Sequence, residues 1–586
     1  MGGKHPEYGP DGPDGQAEAN ESGNGGISVK VTGAEAIIKT LEKEKVDVIF
    51  GYPGAAISPF YDALLNSSIK HILTRNEQGA AHAANGYARV TGKAGVCVAT
   101  SGPGATNLIT GIANAYMDSI PIVAITGQVR SDMIGTDAFQ EADITGATAP
   151  FSKHNYLVKN AGELPRIIKE AFYIATTGRP GPVVIDIPVD IQNATFEYKY
   201  PESVDIRGYK PTYRGHAGQI KKAAAALEQA KRPVICAGGG VITSDAADMV
   251  LELAQRRNIP VVTTLMGIGS IPSDHRLYCG MVGTHGSRVA NCVLNNADLV
   301  LVLGARVGDR AIGSAKVLAK KARIIHIDID PAEIGKNIDV SIPVVGDVRM
   351  VLEELLEHVA PCGSSEWADE AAAMKLKAAS DAASVKKTGG ERAAVANGDS
   401  KGSGEFVNPR YLLSILSDYL SENAVITTEV GQNQIWAANN YKVRCPKTFI
   451  SSGGLGTMGY GLPAAIGAKI GRPDVPVTVI SGDGSFQMSV QELGTMKQYG
   501  IDVKIVLFNN CRLGMVRELQ LLRHGGRYSQ VCLDSNPDFV ALAAAYGFSG
   551  ERISSDSQVR AALERMTSSR GPYLLECMVD PMEPTL

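Results

Sequence analysis

A chain of 586 residues is too long for one hydrophobic core, so length alone implies about three or four domains. With 44% hydrophobic and 20% charged residues the composition is that of a globular enzyme, which excludes a wholly disordered chain. A formal net charge of −4 leaves no basic excess to neutralise phosphates, and no apolar run is long enough to cross a bilayer; a nucleic-acid binder and a helical membrane protein are excluded. The nine cysteines form no CxxC pair and are odd in number, the pattern of reduced thiols in the cytoplasm. The opening MGGKHP lacks a signal-peptide apolar region and carries Pro6 where a myristoylation signal needs Ser or Thr.

In chain order, residues 1–27 are rich in Gly, Pro, Asp and Asn and read as a disordered tail. Residues 28–197 alternate between strand patterns (46–50, 71–74, 95–99, 120–126, 183–187) and helical ones such as 77–91 and 106–116. After a polar stretch at 198–213 the alternation resumes over 213–358, with strands predicted at 233–237, 261–263, 299–303, 323–327 and 342–345. Residues 361–405 read as a linker with room for one solvated helix. The last unit, 406–586, contains a strand at 475–480, a helix at 489–498 and a strand at 503–508, and ends in a PMEPTL too short to be an element. The predicted fold class is α/β, as three parallel-sheet domains.

Within that last unit one strand ends in Gly482-Asp483-Gly484 and the next stops at Asn509-Asn510. Ligands of open α/β sheets bind at the carboxyl ends of strands. Asp483 offers a carboxylate oxygen and Asn510 an amide oxygen, a set suited to Mg²⁺ that completes its octahedron with phosphate oxygens and water. Gly482 and Gly484 allow close approach of a diphosphate to the backbone. A lone GDG is most often a plain turn; its pairing with NN at the end of the following strand makes it specific. In the first domain, Glu77 follows a strand and opens a helix. It is either a first-turn acid favoured by the helix dipole or a carboxyl group able to exchange a proton with a ring nitrogen. The middle domain has glycine-rich turns at 237–241, 265–272, 280–287 and 303–310, then IHIDID with Asp328 and Asp330. None is a complete G-x-G-x-x-G, so a dinucleotide is suggested rather than specified.

Taken in order, FGYPGAAISPFYDAL, RNEQGAAHAANGYAR, SGPGATNLITGIANA, IGTDAFQEADITG, GRPGPVVIDIP, GGLGTMGYGLPAAIGA and SGDGSFQ…FNNCRLGMV resemble the acetohydroxyacid synthase (acetolactate synthase) large, catalytic subunit family. These are thiamine-diphosphate enzymes that also hold FAD, and the likeness covers roughly residues 29–581 apart from the linker. The resemblance implies a pyrimidine-binding first domain, a central FAD-type domain and a diphosphate-binding third domain. It implies that Glu77 bonds the aminopyrimidine ring and promotes the ylid, and that Phe139 and Gln140 line the reaction pocket. Gly431, Gln432, Asn433, Gly482, Gly484, Ser485 and Met515 would contact the cofactor, with Met458 holding its bend. Asp483, Asn510 and the carbonyl of Arg512 would hold Mg²⁺. FAD would lie against Arg179, Gly239, Thr264, Leu265, His285, Arg306, Asp328, Asp347 and Val348.

The same resemblance implies 2-ketoacid substrates, a homodimer or homotetramer whose sites each draw Glu77 and Asp483 from different chains, and room for a small regulatory subunit. Several residues depart from the family pattern: Leu519 for Trp, Ala55 for a second Gly, Gly308 for an acid before Asp309-Arg310, Arg130 for Pro, Val189 for Lys and Asn433 for His. With Arg310 as the remaining partner for a substrate carboxylate, Leu519 and Ala55 bear on acceptor choice more than on cofactor chemistry. The expected reaction joins two pyruvates into 2-acetolactate and CO₂, with 2-ketobutyrate as an alternative acceptor, the first common step of branched-chain amino acid biosynthesis. The alternative is a relative on the same scaffold that cleaves a C–C bond, as cyclic-diketone hydrolases do.

Overall fold

Three six-stranded sheets, each parallel throughout, carry the chain in the computed structural model, which describes residues 30–311, 315–387 and 406–586. The α/β class is as predicted. The 1–27 tail and the end of the expected linker lie outside the described residues. Central strands have both faces covered, which is why they read as unbroken apolar runs: PVVIDIP over Pro182–Pro188 is buried at every position.

The first sheet runs Lys70–Leu73, Val48–Gly51, Gly95–Ala99, Ile122–Gln128, Pro182–Pro188, His154–Leu157. The middle sheet runs Tyr278–Met281, Val261–Thr263, Pro233–Ala237, Leu299–Leu303, Arg323–Asp328, Ile342–Val345. The third runs Phe449–Ile450, Val425–Thr428, Val477–Gly482, Lys504–Asn509, Tyr573–Met578, Ser549–Ile553. The middle order reverses direction once, and the first and third reverse again at their last pair; where the loops leaving two adjacent strands diverge, a crevice opens. In the middle sheet it falls between Pro233–Ala237 and Leu299–Leu303; in the third, between Val425–Thr428 and Val477–Gly482.

Several elements differ from expectation; the helix expected at 106–116, for one, is two, Pro103–Asn107 and Ile109–Asp118. The strand expected at 475–480 is Val477–Gly482, because Pro476 has no N–H for the ladder. The helix expected at 489–498 is broken: Asp483–Gln487, a 3-10 turn at Val490–Glu492, then Leu493–Tyr499. The one helix allowed for in the linker, Glu366–Lys387, is solvated only in part. Trp367, Ala368 and Ala371 are buried against the middle domain, and the Trp367 indole donates to the Pro233 carbonyl at 3.1 Å.

The first and third domains of the chain are joined through two helices rich in Ala and Gly, Glu77–Thr91 and Gly461–Gly471. Their backbones touch: a Cβ on Gly86 would clash with the Ala464 carbonyl, and one on Gly467 with that of Ala83. A buried polar layer flanks the crossing. Asp118 pairs with Arg89 at 2.7 Å and accepts the Gly454 N–H at 2.7 Å, while the Tyr460 hydroxyl donates to Asn85 at 2.7 Å.

Candidate cofactor site

At the reversal of the third sheet lies a small cavity of about 70 Å³. Its walls include Gly431, Gln432, Asn433, Met458, Gly482, Asp483, Gly484, Ser485, Asn510, Arg512 and Met515. Every residue of the third domain singled out for cofactor or metal contact is therefore gathered on one crevice. Asp483 is the first residue of its helix and Asn510 follows the last residue of the neighbouring strand. Asp483 is buried, and burial pushes its carboxyl up to about 6, against the lowering effect of Asn536, whose amide donates to Oδ2 at 2.7 Å. A buried carboxylate beside an amide oxygen is the donor set of a hard divalent cation, whose charge would offset that desolvation.

The Asn510 amide donates to Gln432 at 3.0 Å, and its oxygen accepts the Arg512 N–H at 3.1 Å. Arg512 faces Cys532 in an isolated bridge whose hydrogen bonds are made by the flanking Leu513 N–H and Cys511 carbonyl. The Arg512 carbonyl is thus left out of the bridge. Gly431 sits at φ +147°, a backbone position that disfavours any side chain, and a Cβ on Gly484 would meet Leu513 and Leu533. The crevice is a cradle that only glycines leave open. Among the described residues no cluster of three or more His, Cys, Asp or Glu side chains could hold a metal unaided.

Met458 is half-buried and projects into the same crevice from a loop held by Glu429. That carboxylate is fully buried and accepts the N–H groups of Gly459 at 2.8 Å, Tyr460 at 3.0 Å and Leu462 at 3.2 Å. These are orphan donors at the start of the Gly461–Gly471 helix.

In the first domain Glu77 opens its helix after the cap Asn76, whose side chain accepts the Gln78 N–H. Asn107 donates to Glu77 Oε2 at 2.9 Å. Gly104 lets the next turn press close, for its Cβ would stand 3.3 Å from Oε1. Gln140 has φ +59° and its backbone packs against Gly102, while Phe139 is 88% exposed. Glu77, Ala55, Phe139, Gln140 and Leu519 line neither cavity within this chain.

A larger cavity, about 490 Å³, opens at the reversal of the middle sheet. Arg179, Gly239, Thr264, Leu265, His285, Arg306, Asp328, Asp347 and Val348 all line it, as does Arg310. Gly240 and Gly304, on the two diverging loops, come within a Cβ's clash distance of each other. Burial pushes Asp328 up to about 6. Arg179, from the first domain, reaches across to Glu333 at 2.9 Å and Asp330 at 3.2 Å. The Asp347 carboxylate caps a helix, accepting the Arg349 and Met350 N–H groups. The Arg310 side chain is 74% exposed on the rim and pairs loosely with Asp309.

Asn536 and Glu429 escaped the sequence reading. Glu429 directly precedes the Val-Gly-Gln turn and could have been suspected; Asn536 lies in a polar loop without any pattern. Comparison with known proteins names the three domains. The thiamine pyrophosphate enzyme N-terminal TPP binding domain matches residues 31–147, the central domain 220–355 and the C-terminal TPP binding domain 429–577. The chain is 49% identical to the probable acetolactate synthase large subunit of Methanocaldococcus jannaschii, over 94% of this chain and 92% of that one. It is 46% identical to the acetolactate synthase large subunit of Corynebacterium glutamicum (92% and 84% covered) and 44% identical to the acetolactate synthase isozyme 2 large subunit of Escherichia coli (94% and 96%).

Proposed function

The chain belongs to the acetolactate synthase large-subunit family of thiamine pyrophosphate enzymes, and we infer that it performs that family's reaction, condensing two pyruvates to 2-acetolactate with release of CO₂. This is a reaction of branched-chain amino acid biosynthesis. The observation that carries it is the convergence of Asp483, Asn510, Gly431 and Met458 on one crevice at the carboxyl ends of adjacent parallel strands. Thiamine pyrophosphate, when bound, would supply a thiazolium carbon that adds to the ketoacid carbonyl and a cationic ring that takes up the electrons left by CO₂.

What this chain's residues do follows from where they stand. Asp483, Asn510 and the Arg512 carbonyl would hold Mg²⁺ against the pyrophosphate, and Gly431, Gly482, Gly484 and Ser485 would leave it room. Gln432 braces Asn510, Asn433 and Met515 close the walls, and Met458 would support the cofactor from the wall of the crevice. Glu77 holds or passes a proton at the pyrimidine ring. Arg179, Gly239, Thr264, Leu265, His285, Arg306, Asp328, Asp347 and Val348 would hold FAD; a cavity of about 490 Å³ at a sheet reversal suits such a ligand. Ala55, Phe139, Gln140, Arg310 and Leu519 would shape the acceptor pocket. Since several relatives are named large subunits, a small regulatory subunit is the expected partner. No described helix is long and apolar enough to cross a membrane.

The test is turnover of pyruvate by the purified chain with Mg²⁺, thiamine pyrophosphate and FAD, read as 2-acetolactate. Cleavage of a cyclic diketone without acetolactate would overturn the reading. Glu77→Gln should leave cofactor affinity nearly intact and slow exchange of the cofactor's C2 proton by about 100-fold or more.

A further inference from the structure

The turn that delivers Glu77 is shaped from outside its own domain. From Leu73, the last residue of its strand, to Asn76, which caps the helix starting at Glu77, four backbone N–H groups must find partners. Thr74 donates within the domain, to the Gly51 carbonyl. The other three go to side chains of the third domain: Leu73 to the Tyr499 hydroxyl at 2.9 Å, and Arg75 and Asn76 both to Glu492 Oε1 at 2.9 and 3.1 Å. Glu492 is fully buried, and its second oxygen accepts the Thr495 hydroxyl at 2.6 Å. The Arg75 guanidinium closes the bracket by donating to the Gly494 carbonyl at 3.2 Å and to Gln498 at 2.8 Å. Gly79, one turn into the helix, has no room for a Cβ because Glu492 Oε1 stands there.

We propose that Glu492 is a positioning residue for Glu77, fixing the point from which that carboxylate reaches the pyrimidine ring. Two N–H groups on one buried carboxylate oxygen leave the turn no alternative partner, since an unpaired buried donor is costly. Glu492 is separated from Asp483 by only a short helix and a 3-10 turn. The third domain thereby carries a metal-binding carboxylate and also aims the Glu77 of its own chain. The proposal rests on the proton-relay reading of Glu77.

The experiment compares wild type, Glu492→Gln, Glu77→Gln and the double variant as full-length chains. Two quantities are read: backbone amide exchange of residues 73–78 without cofactor, and C2-proton exchange of bound thiamine pyrophosphate. Glu492→Gln should speed amide exchange at residues 75 and 76 and slow C2 exchange roughly 10- to 100-fold, the scale of a misplacement near 1 Å. Cofactor affinity should stay within about 3-fold of wild type, for none of the hydrogen-bond partners of Glu492 lines the crevice. Added to Glu77→Gln, it should slow C2 exchange no further; a merely structural lesion would slow both backgrounds alike. If Glu492→Gln does not fold, Tyr499→Phe, which removes only the Leu73 acceptor, should give the same pattern with a smaller loss. Full-rate C2 exchange in a folded variant with loosened amides overturns the proposal, as does equal slowing in both backgrounds. Full-rate exchange in Glu77→Gln would instead overturn the reading of Glu77, and the positioning role would fall with it.

Discussion

Glu429 makes its hydrogen bonds to N–H groups, and those favour the anion; complete burial outweighs them and pushes the carboxyl up to about 7 from an ordinary 4.5. The native chain therefore keeps a proton that the unfolded chain releases between about pH 4.5 and 7. Its contribution to stability is fully present below that window and is lost as pH rises through it, by about 3 kcal/mol in all. The advantage of wild type over Glu429→Gln, measured as a difference in unfolding midpoint, should shrink across that window; a flat difference would refute it. A second residue-scale expectation concerns Leu519, which is 42% exposed on the Gly514–His524 helix. Leu519→Trp should shift the ratio of kcat/KM for 2-ketobutyrate over pyruvate as acceptors by about 10-fold, the range that one apolar pocket group commands, and an unchanged ratio would remove Leu519 from the pocket. At this scale Asp483 and Asn510 could be read from the sequence because each closes an apolar run. Glu492 and Asn536 could not, because what distinguishes them is a partner far away in the chain.

Helices and strands were legible where burial writes a period into the sequence. The strands at 95–99, 233–237 and 299–303 begin and end where their apolar runs do. His154–Leu157 is the opposite case: an edge strand, half-exposed throughout, with no apolar run to announce it. The break after Gln487 was likewise invisible, since Val490, Leu493 and Met496 keep a helical spacing across a 3-10 turn. The crossing of Glu77–Thr91 on Gly461–Gly471 is the element-scale weak point. Gly467 faces the Ala83 carbonyl with no space between, so Gly467→Ala must push two main chains apart. Overpacking of this kind costs about 1–3 kcal/mol, and more where backbone is the obstacle. Gly467→Ala should lower the unfolding midpoint clearly, whereas Gly500→Ala, with open space around its Cβ but φ +62°, should show only the smaller strain of its backbone; equal losses would mean that the crossing is not tight.

At the scale of the whole molecule, Glu77 stands off the crevice of its own chain: Glu77, Ala55, Phe139 and Gln140 border neither cavity. Phe139 stands 88% exposed, and Val516, Leu519, Leu521 and Leu522 are exposed on the Gly514–His524 helix, whose first residues line the Asp483 crevice. Apolar side chains exposed on one helix are costly to leave in water, and we propose that another chain covers them. The proposed assembly is a dimer in which each crevice receives Glu77 from its partner. Variants that are each inactive should then complement one another. Co-expressed Glu77→Gln and Asp483→Asn chains that pair at random make half of all dimers hybrid. In each hybrid one site carries both lesions and the other carries neither, so about a quarter of wild-type activity should return. Were each site built within a single chain, every site would carry one lesion and the mixture would be as inactive as its parts.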